Sequence, residues 1–406
     1  MKWPSLAAAV AALVAVVALV AGLRWYSSGR LEKDFDRLAL ANLKASRLGL
    51  TTDELVLARK DWLAVYGSCE LVYPQKNRID HFFATKPTGF RVAPLGDRGV
   101  RSLVMAERFA ALGERLRGKR LVVILTPEWF YSSDVGAETY DGNFSVEHAL
   151  AALTSPTLDP TLKKRLALRM WDYPISLNKS PFLEQLATAM AAASRAQQAV
   201  RPITRVLAGG FLGVQKELDP VVIARALRDS RRAHPDIVSK AEPRKIDWDK
   251  EVEESYNEFR NMSGSNPYGF RNTLWEKFQK KPGYYLTKMS DNDFDARLAR
   301  TKEWEDYDLM LAILNQYGAK PLLISLPVNG RFLSDEGVSR YEWRKYYAAI
   351  ANVAERYGFP VADFNKFEDD PQFFGYADPN PEGWIYINRV VNAYYHGKLG
   401  TVLGML

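Results

Sequence analysis

The chain contains 406 residues, of which 47% are hydrophobic and 25% are charged, and its formal net charge is +7. This balance excludes an intrinsically disordered chain and a polytopic membrane protein. One cysteine excludes a disulfide framework within the chain, and four scattered histidines argue against a metal site, so we expect no metal and no cofactor. Because the positive charge is mild and forms no dense Lys/Arg stripe, nucleic acid is not an expected partner.

An uncharged apolar run extends from Pro4 to Leu23 near the N-terminus. A helix of this length spans roughly 30 Å, the thickness of one bilayer core. Trp3 and the pair Trp25-Tyr26 bracket the run, as aromatic residues do at headgroup depth. A cleaved signal peptide is the alternative, since Val20-Ala21-Gly22 is a passable cleavage site, but the run is long for one. We therefore expect residues 1–30 to form an uncleaved membrane anchor, whose orientation the flanking charges leave open.

Beyond the anchor, short apolar runs alternate with helical patterns. Continuous apolar strands of this kind are typical of a parallel sheet covered by helices on both faces. We therefore expect an α/β fold, with residues 31–406 forming one domain that carries a helical insertion at about 145–300. The predicted strands are Trp62–Tyr66, Leu121–Thr126, Pro321–Leu326 and Phe359–Asp363; the predicted helices are 31–48, 161–170, 182–200, 291–317 and 385–395, and residues 231–248 are predicted to be a surface loop.

Ligands of parallel α/β sheets bind at the carboxyl ends of the strands, so the residues just after each strand are candidates for a site. The first predicted strand runs into Gly67-Ser68-Cys69-Glu70-Leu71, where a tight turn would expose the Cys69 thiol. The alternative for a lone cysteine is a small buried apolar residue. Its position after a strand, two residues beyond a glycine, supports the functional interpretation.

Three further segments are expected at the same edge of the sheet. Gly96-Asp97-Arg98-Gly99 can offer backbone N–H groups to an oxyanion, or it can simply be a turn. The segment after the next strand carries the carboxylate of Glu128 and the ring of Trp129. Asp378 precedes the last helix, where the alternative is a helix cap followed by a proline in the first turn.

Six short motifs follow the anchor in a fixed order, and together they resemble the DltD family. In that family the nucleophile turn reads GSSEL and the next motif reads SPQWF. The resemblance covers nearly the whole chain and implies a three-layer, SGNH-hydrolase-like (flavodoxin-like) domain outside the cytoplasmic membrane. It also implies a role in attaching D-alanine to lipoteichoic acid, with an MBOAT-type acyltransferase, an aminoacyl carrier protein and a surface polymer as partners. The motifs are GSCEL (67–71), LTPEWF (125–130), GNFS (142–145), SNPYGFR (265–271), LPVNG (326–330) and GWIY (383–386).

The chain departs from the family pattern at the residues that matter for catalysis. Cys69 stands at the position of the nucleophilic serine. The family motif D-x-x-H, placed by Gly383-Trp384, puts Asp378 at the histidine and Gly375 at the aspartate, and a shifted alignment puts Pro381 at the histidine. A thiol needs a cation, a helix N-terminus or a base to ionise, and a nearby carboxylate opposes ionisation.

Other groups remain as possible substitutes for the missing imidazole. Arg98, or the dipole of a helix after Cys69, would support the thiolate. His81, His148 and His396 are possible recruits, although a packing or surface role fits each of them better.

Two functions follow, and both are components of an envelope acylation system. In the first, Cys69 accepts an acyl group as a thioester, with the Cys69 and Gly99 N–H groups as oxyanion donors, as the family pattern implies. In the second, the domain is a non-catalytic scaffold that binds acceptor and acyltransferase. A free-standing hydrolase is disfavoured because no base is evident. In either case the candidate catalytic residues are Cys69 and Asp378, and the candidate substrate-binding residues are Ser68, Glu70, Gly96, Gly99, Glu128 and Trp129.

Overall fold

A computed structural model describes residues 3–43, 49–132, 134–191, 195–229, 243–280 and 288–404. Its centre is one parallel sheet with the strand order β2-β1-β3-β4-β5, the order of flavodoxin-like sheets. The four predicted strands are confirmed within one or two residues, and β2 is an additional strand at the sheet edge. The strands are β1 Trp62–Gly67, β2 Arg91–Gly96, β3 Arg120–Leu125, β4 Lys320–Ser325 and β5 Val361–Asp363.

Helices make up most of the remaining described residues. In chain order they are α1 Trp3–Lys33, α2 Phe35–Leu40, α3 Thr51–Ala58, α4 Ile79–Thr85, α5 Ser102–Leu112, α6 Glu128–Tyr131, α7 Ala137–Asn143, α8 Val146–Thr154, α9 Pro160–Met170, α10 Pro174–Leu177, α11 Pro181–Ala191, α12 Arg195–Asp229, α13 Trp248–Ser263, α14 Asn272–Gln279, α15 Asp291–Arg300, α16 Glu303–Gln316, α17 Gly330–Glu336, α18 Arg340–Glu355, α19 Pro381–Tyr395 and α20 Gly400–Leu403. Short 3-10 turns lie at Cys69–Leu71, Gly113–Leu116 and Asn365–Phe367.

Both faces of the sheet are buried, which confirms the α/β layering. Successive side chains of a strand point to opposite faces. In β1, Ala64 and Tyr66 belong to one apolar cluster, whereas Leu63 and Val65 belong to a second. The side chains of β3 and β4 alternate between the two clusters in the same way. The sheet is therefore the middle of three layers, with helices on both sides.

Two predicted helices are interrupted in the structure. The helix expected at 291–317 is two helices, α15 and α16, because the backbone turns at Thr301 and the Thr301 hydroxyl accepts a hydrogen bond from the N–H of Glu303. The helix expected at 31–48 is instead the end of α1 followed by α2, and residues 44–48 lie outside the described part.

Among the described residues, the secondary-structure elements of the insertion between β3 and β4 are all helices, from α6 to α16. The helix predicted at 182–200 corresponds to α11 and the beginning of α12, with residues 192–194 outside the description. Most of the loop predicted at 231–248 also lies outside it, since residues 230–242 are not described.

The N-terminal helix α1 fits a membrane anchor. Its segment Val10–Lys33 is long and apolar enough to cross a bilayer, and almost none of it is buried against the rest of the protein. Among the described residues it is the one helix with these properties. Trp25 and Tyr26 are exposed at the end of the apolar run.

Candidate functional site

The turn after β1 holds Cys69 at the carboxyl edge of the sheet. Glu70 folds back so that its Oε1 accepts a hydrogen bond from the Ser68 N–H at 2.5 Å. The Ser68 hydroxyl donates to the Asp97 carbonyl at 3.3 Å, which ties this turn to the turn after β2. A Cβ on Gly96 would overlap the Gly67 carbonyl, so only glycine allows the ends of β1 and β2 to approach this closely.

The turn after β2 is fixed by a residue of the GNFS motif. Asn143 Nδ2 donates to the Arg98 carbonyl at 2.9 Å and to the Thr139 carbonyl at 3.0 Å. Gly99 has φ +81°, a conformation that residues with a Cβ rarely adopt, and a Cβ there would overlap Thr139. The amide of Asn143 therefore fixes a turn that requires glycine at position 99.

Asp378 lies at the same cleft as Cys69. The Cys69 thiol donates to the carbonyl of Ala377, with Sγ and O 3.5 Å apart. The Asp378 carboxylate is already engaged: Oδ2 accepts from Gln75 Nε2 at 3.2 Å and from Arg271 Nε at 3.0 Å, with a second contact to Arg271 Nη2. Burial raises the pKa of Asp378, and Arg271 opposes that rise.

The electrostatic environment disfavours a Cys69 thiolate. Burial raises the pKa of the Cys69 thiol well above its ordinary value, and the carboxyls of Glu70, Asp378 and Glu128 raise it further. The expected helix dipole is missing, because a single 3-10 turn, not an α-helix, follows the cysteine. Arg98 does not supply the charge either: its guanidinium lies against the Tyr73 ring, 4.7 Å from the centroid, and the strongest charges on the thiol are carboxyls.

Two carboxyls beside the thiol are perturbed by burial. Burial raises the pKa of Glu70 to about 7, although the Ser68 N–H and the Thr126 hydroxyl stabilise its ionised form. Burial also raises the pKa of Glu128, and Arg101 lowers it. The cleft thus combines a protonated thiol with acids that titrate above their usual range.

Trp129 does not offer its ring to the cleft. Its side chain is 3% exposed and belongs to the apolar core, because the short helix α6 turns it inward. Phe130, Phe373, Phe374 and Trp384 are equally buried. All five aromatic residues are therefore core residues.

Each of the three described histidines has neighbours other than Cys69. His148 is fully buried beside the Asp53–Arg108 ion pair, and burial lowers its pKa to about 4. The His396 ring lies 2.9 Å from the Thr88 carbonyl. Burial lowers the pKa of His81, which lies near Asp80 and Arg78. Within the described residues, no group of three or more His, Cys, Asp or Glu residues is arranged to hold a metal ion.

Three site residues were missed in the sequence: Gln75, Tyr73 and Arg271. Arg271 belongs to the SNPYGFR motif, but only the fold brings it to Asp378, 107 positions further along the chain. Its guanidinium lies 4.5 Å from the Tyr73 ring centroid, and Arg98 lies against the same ring. One tyrosine ring is therefore in contact with two cations, one of which pairs with Asp378.

Comparison with known proteins gives the family. A model described as "DltD protein" matches residues 45–396. The chain is 24% identical over 363 residues to the "Protein DltD" of Bacillus subtilis (strain 168), and the aligned region covers 87% of each chain. It is 21% identical over 405 residues to the "Protein DltD" of Staphylococcus aureus (strain NCTC 8325 / PS 47), covering 97% of this chain and 96% of the relative. Together with the motifs that line the cleft, these matches establish that the chain belongs to the DltD family.

Proposed function

We propose that the protein assists the attachment of D-alanine to lipoteichoic acid or a similar surface polymer. It would be anchored by α1 in the cytoplasmic membrane, with its α/β domain on the extracytoplasmic side. There it would work beside an MBOAT-type acyltransferase that is supplied by a D-alanyl carrier protein. Family membership and the apolar N-terminal helix support this assignment.

Within this system, we propose that the cleft binds the acceptor or partner and does not form a covalent intermediate. The observation that carries this proposal is the ion pair of Asp378 with Arg271, at the position that one of the two motif alignments gives to the family histidine. A paired carboxylate beside a thiol raises the thiol's pKa, so it cannot replace histidine as the activating base. Ser68, Glu70, Gly96, Gly99 and Glu128 would then shape a binding cleft.

A second candidate is transfer through a Cys69 thioester. Its support is that Cys69 is partly accessible and that the Ser68 hydroxyl ties its turn to the turn that contains Gly99. The thiol would attack the carrier thioester, with transfer of its proton to the released carrier thiol. A partner protein would have to supply the base.

The experiment that tests the proposal is complementation of cells lacking their own copy, with D-alanine ester content of the envelope as the readout. We expect Cys69→Ala to restore esters as well as the parent does. Gly96→Val, which blocks the approach of β1 and β2, serves as the loss-of-site control. Loss of esters in Cys69→Ala, at parental protein abundance, would contradict the binding role and favour the thioester.

A further inference from the structure

The exposed aliphatic and tryptophan side chains of the domain are confined to one region. Outside α1, and across the described residues, every exposed Val, Leu, Ile, Phe or Trp lies between residues 168 and 222. Most of them are on α12, including Ile203, Val206, Leu207, Phe211, Val214 and Leu218. Contiguous exposed apolar surface of this kind marks an interaction site.

The outward face of α12 almost lacks charge between residues 202 and 214. Thr204, Ala208 and Leu212, spaced four residues apart, are buried against the domain. Between residues 202 and 214 the exposed positions are apolar or glycine, with one exception, Arg205. Arg205 donates to the Thr154 carbonyl on the protein body at 3.0 Å. A helix that faces water normally carries its charged residues on this side.

The contacts between α12 and the N-terminal helices fix its direction. Arg24 forms an ion pair with Glu217, and Arg37 Nη2 donates to the Leu227 carbonyl at 3.1 Å. Residue numbers increase from the first contact to the second on both sides, from 24 to 37 and from 217 to 227. The N-terminal helices and α12 therefore run in the same direction. Residues that precede Glu217 on α12 therefore extend towards the apolar run that precedes Arg24.

The level of the bilayer follows from α1. Its apolar run ends just before Arg24, and the exposed Trp25 and Tyr26 mark headgroup depth. At 1.5 Å per residue, Phe211 lies roughly 9 Å and Ile203 roughly 21 Å along the helix from Glu217, on the membrane side. The part of α12 with few charges therefore lies on the membrane side of Glu217, beyond the level at which α1 enters the membrane.

We propose that the exposed face of α12 from Ile203 to Leu218, the α12 apolar face, rests in the bilayer that α1 enters. An interfacial helix usually carries its own polar face. Here the protein body takes the place of that face, and the lipid covers the other side. A protein-binding surface would be expected to have a polar rim, whereas the exposed positions of this face are apolar residues or glycines apart from Arg205. The domain then has two attachments to the membrane, and its rotation about α1 is restricted.

Depth-dependent fluorescence quenching on the full chain in lipid nanodiscs tests this proposal. Cys69→Ala removes the single cysteine of the chain, and new cysteines at Leu207→Cys and Phe211→Cys receive an environment-sensitive dye. Leu19→Cys, in the exposed apolar run, is the bilayer control, and Arg228→Cys, at the far end of α12, is the water control. Thermal unfolding confirms that each labelled variant is folded.

We expect spin-labelled lipid to quench the dye at positions 207 and 211 to an extent that approaches quenching at position 19, and to leave position 228 unquenched. Dye at 207 and 211 that behaves like position 228 would overturn the proposal. Dye that is unquenched in lipid alone but becomes shielded when a multispanning partner is added would also overturn it, in favour of a protein contact.

Discussion

Arg271 holds the carboxylate of Asp378 inside the cleft, with Nε 3.0 Å from Oδ2 and side-chain exposures of only 20% and 11%. The pair stands where related proteins are expected to place an imidazole beside the nucleophile. Arg271 stabilises the ionised carboxylate, although burial still leaves the pKa of Asp378 above its ordinary value. The Asp378 carboxyl raises the pKa of the Cys69 thiol, so it does not support a thiolate.

Removing the cation of this pair should destabilise the fold. Arg271→Ala leaves a buried carboxylate without its partner, so we expect the free energy of unfolding near neutral pH to fall by about 3–5 kcal/mol. Adding Asp378→Asn should recover much of the loss, because the buried charge is then gone. Urea unfolding of the full chain in detergent measures both effects, with the exposed Arg260→Ala as control. Equal losses for the Arg271 and Arg260 variants would contradict the account.

The raised pKa of the Cys69 thiol predicts slow alkylation. Burial and three carboxyls keep the thiol protonated near neutral pH, and the thiolate is the reactive form. The rate of iodoacetamide modification, followed by intact mass, should therefore keep rising with pH beyond the range of an ordinary thiol. Glu70→Gln and Asp378→Asn should each increase the rate near neutral pH. A rate that already levels off at neutral pH would show a thiolate and contradict this electrostatic description.

Glu70 should make stability depend on pH in a defined direction. Its folded-state pKa is raised to about 7, whereas in the unfolded chain it titrates near 4.3. The folded state therefore binds the proton more tightly, and this contribution to stability is present below the unfolded pKa and is lost as pH rises to about 7.

We therefore compare the free energy of unfolding of Glu70→Gln with that of the parent. The difference should favour the variant more at pH 8 than at pH 5, by roughly 3 kcal/mol. Urea unfolding at the two pH values measures this difference. Glu184→Gln, at an exposed position on α11, is the control that should show no such change. An identical effect of Glu70→Gln at both pH values would argue against a buried, titrating Glu70.

The Gly99 turn should tolerate no side chain. Gly99→Ala combines an unfavourable φ, at roughly 1–2 kcal/mol, with an overlap with Thr139. Thr139→Ser removes the overlapping methyl group and should recover only the steric part of the loss in melting temperature. Gly118→Ala, also at positive φ but with open space around it, isolates the conformational part. If Thr139→Ser gives no recovery, the turn is not packed as described.

The strands were predictable where their apolar runs are continuous, because a strand buried on both faces has no polar positions. The strand β2 was missed since it begins at Arg91 and contains Pro94, which argues against a central strand. In the structure β2 is the edge of the sheet, where a missing N–H donor is tolerated. The break at Thr301 carries no glycine or proline signal and depends on a side-chain cap.

The cleft was predictable in part for a similar reason. Cys69 follows a strand and Asp378 precedes a helix, so local patterns indicate both. Gln75 and Arg271 reach Asp378 from 303 and 107 positions away, and only tertiary packing brings them there. Trp129 shows the opposite case, because a one-turn helix decides whether an aromatic residue after a strand faces the core or the solvent.

In the proposed role, the cleft binds acceptor or partner without forming a covalent bond through Cys69. Intact mass of the full chain in detergent, after exposure to a D-alanyl thioester, tests it most directly, with Cys69→Ala measured alongside. We expect the mass of the parent chain to stay unchanged at neutral pH. A D-alanyl adduct on the parent that disappears in Cys69→Ala would contradict the account and make Cys69 an acyl carrier.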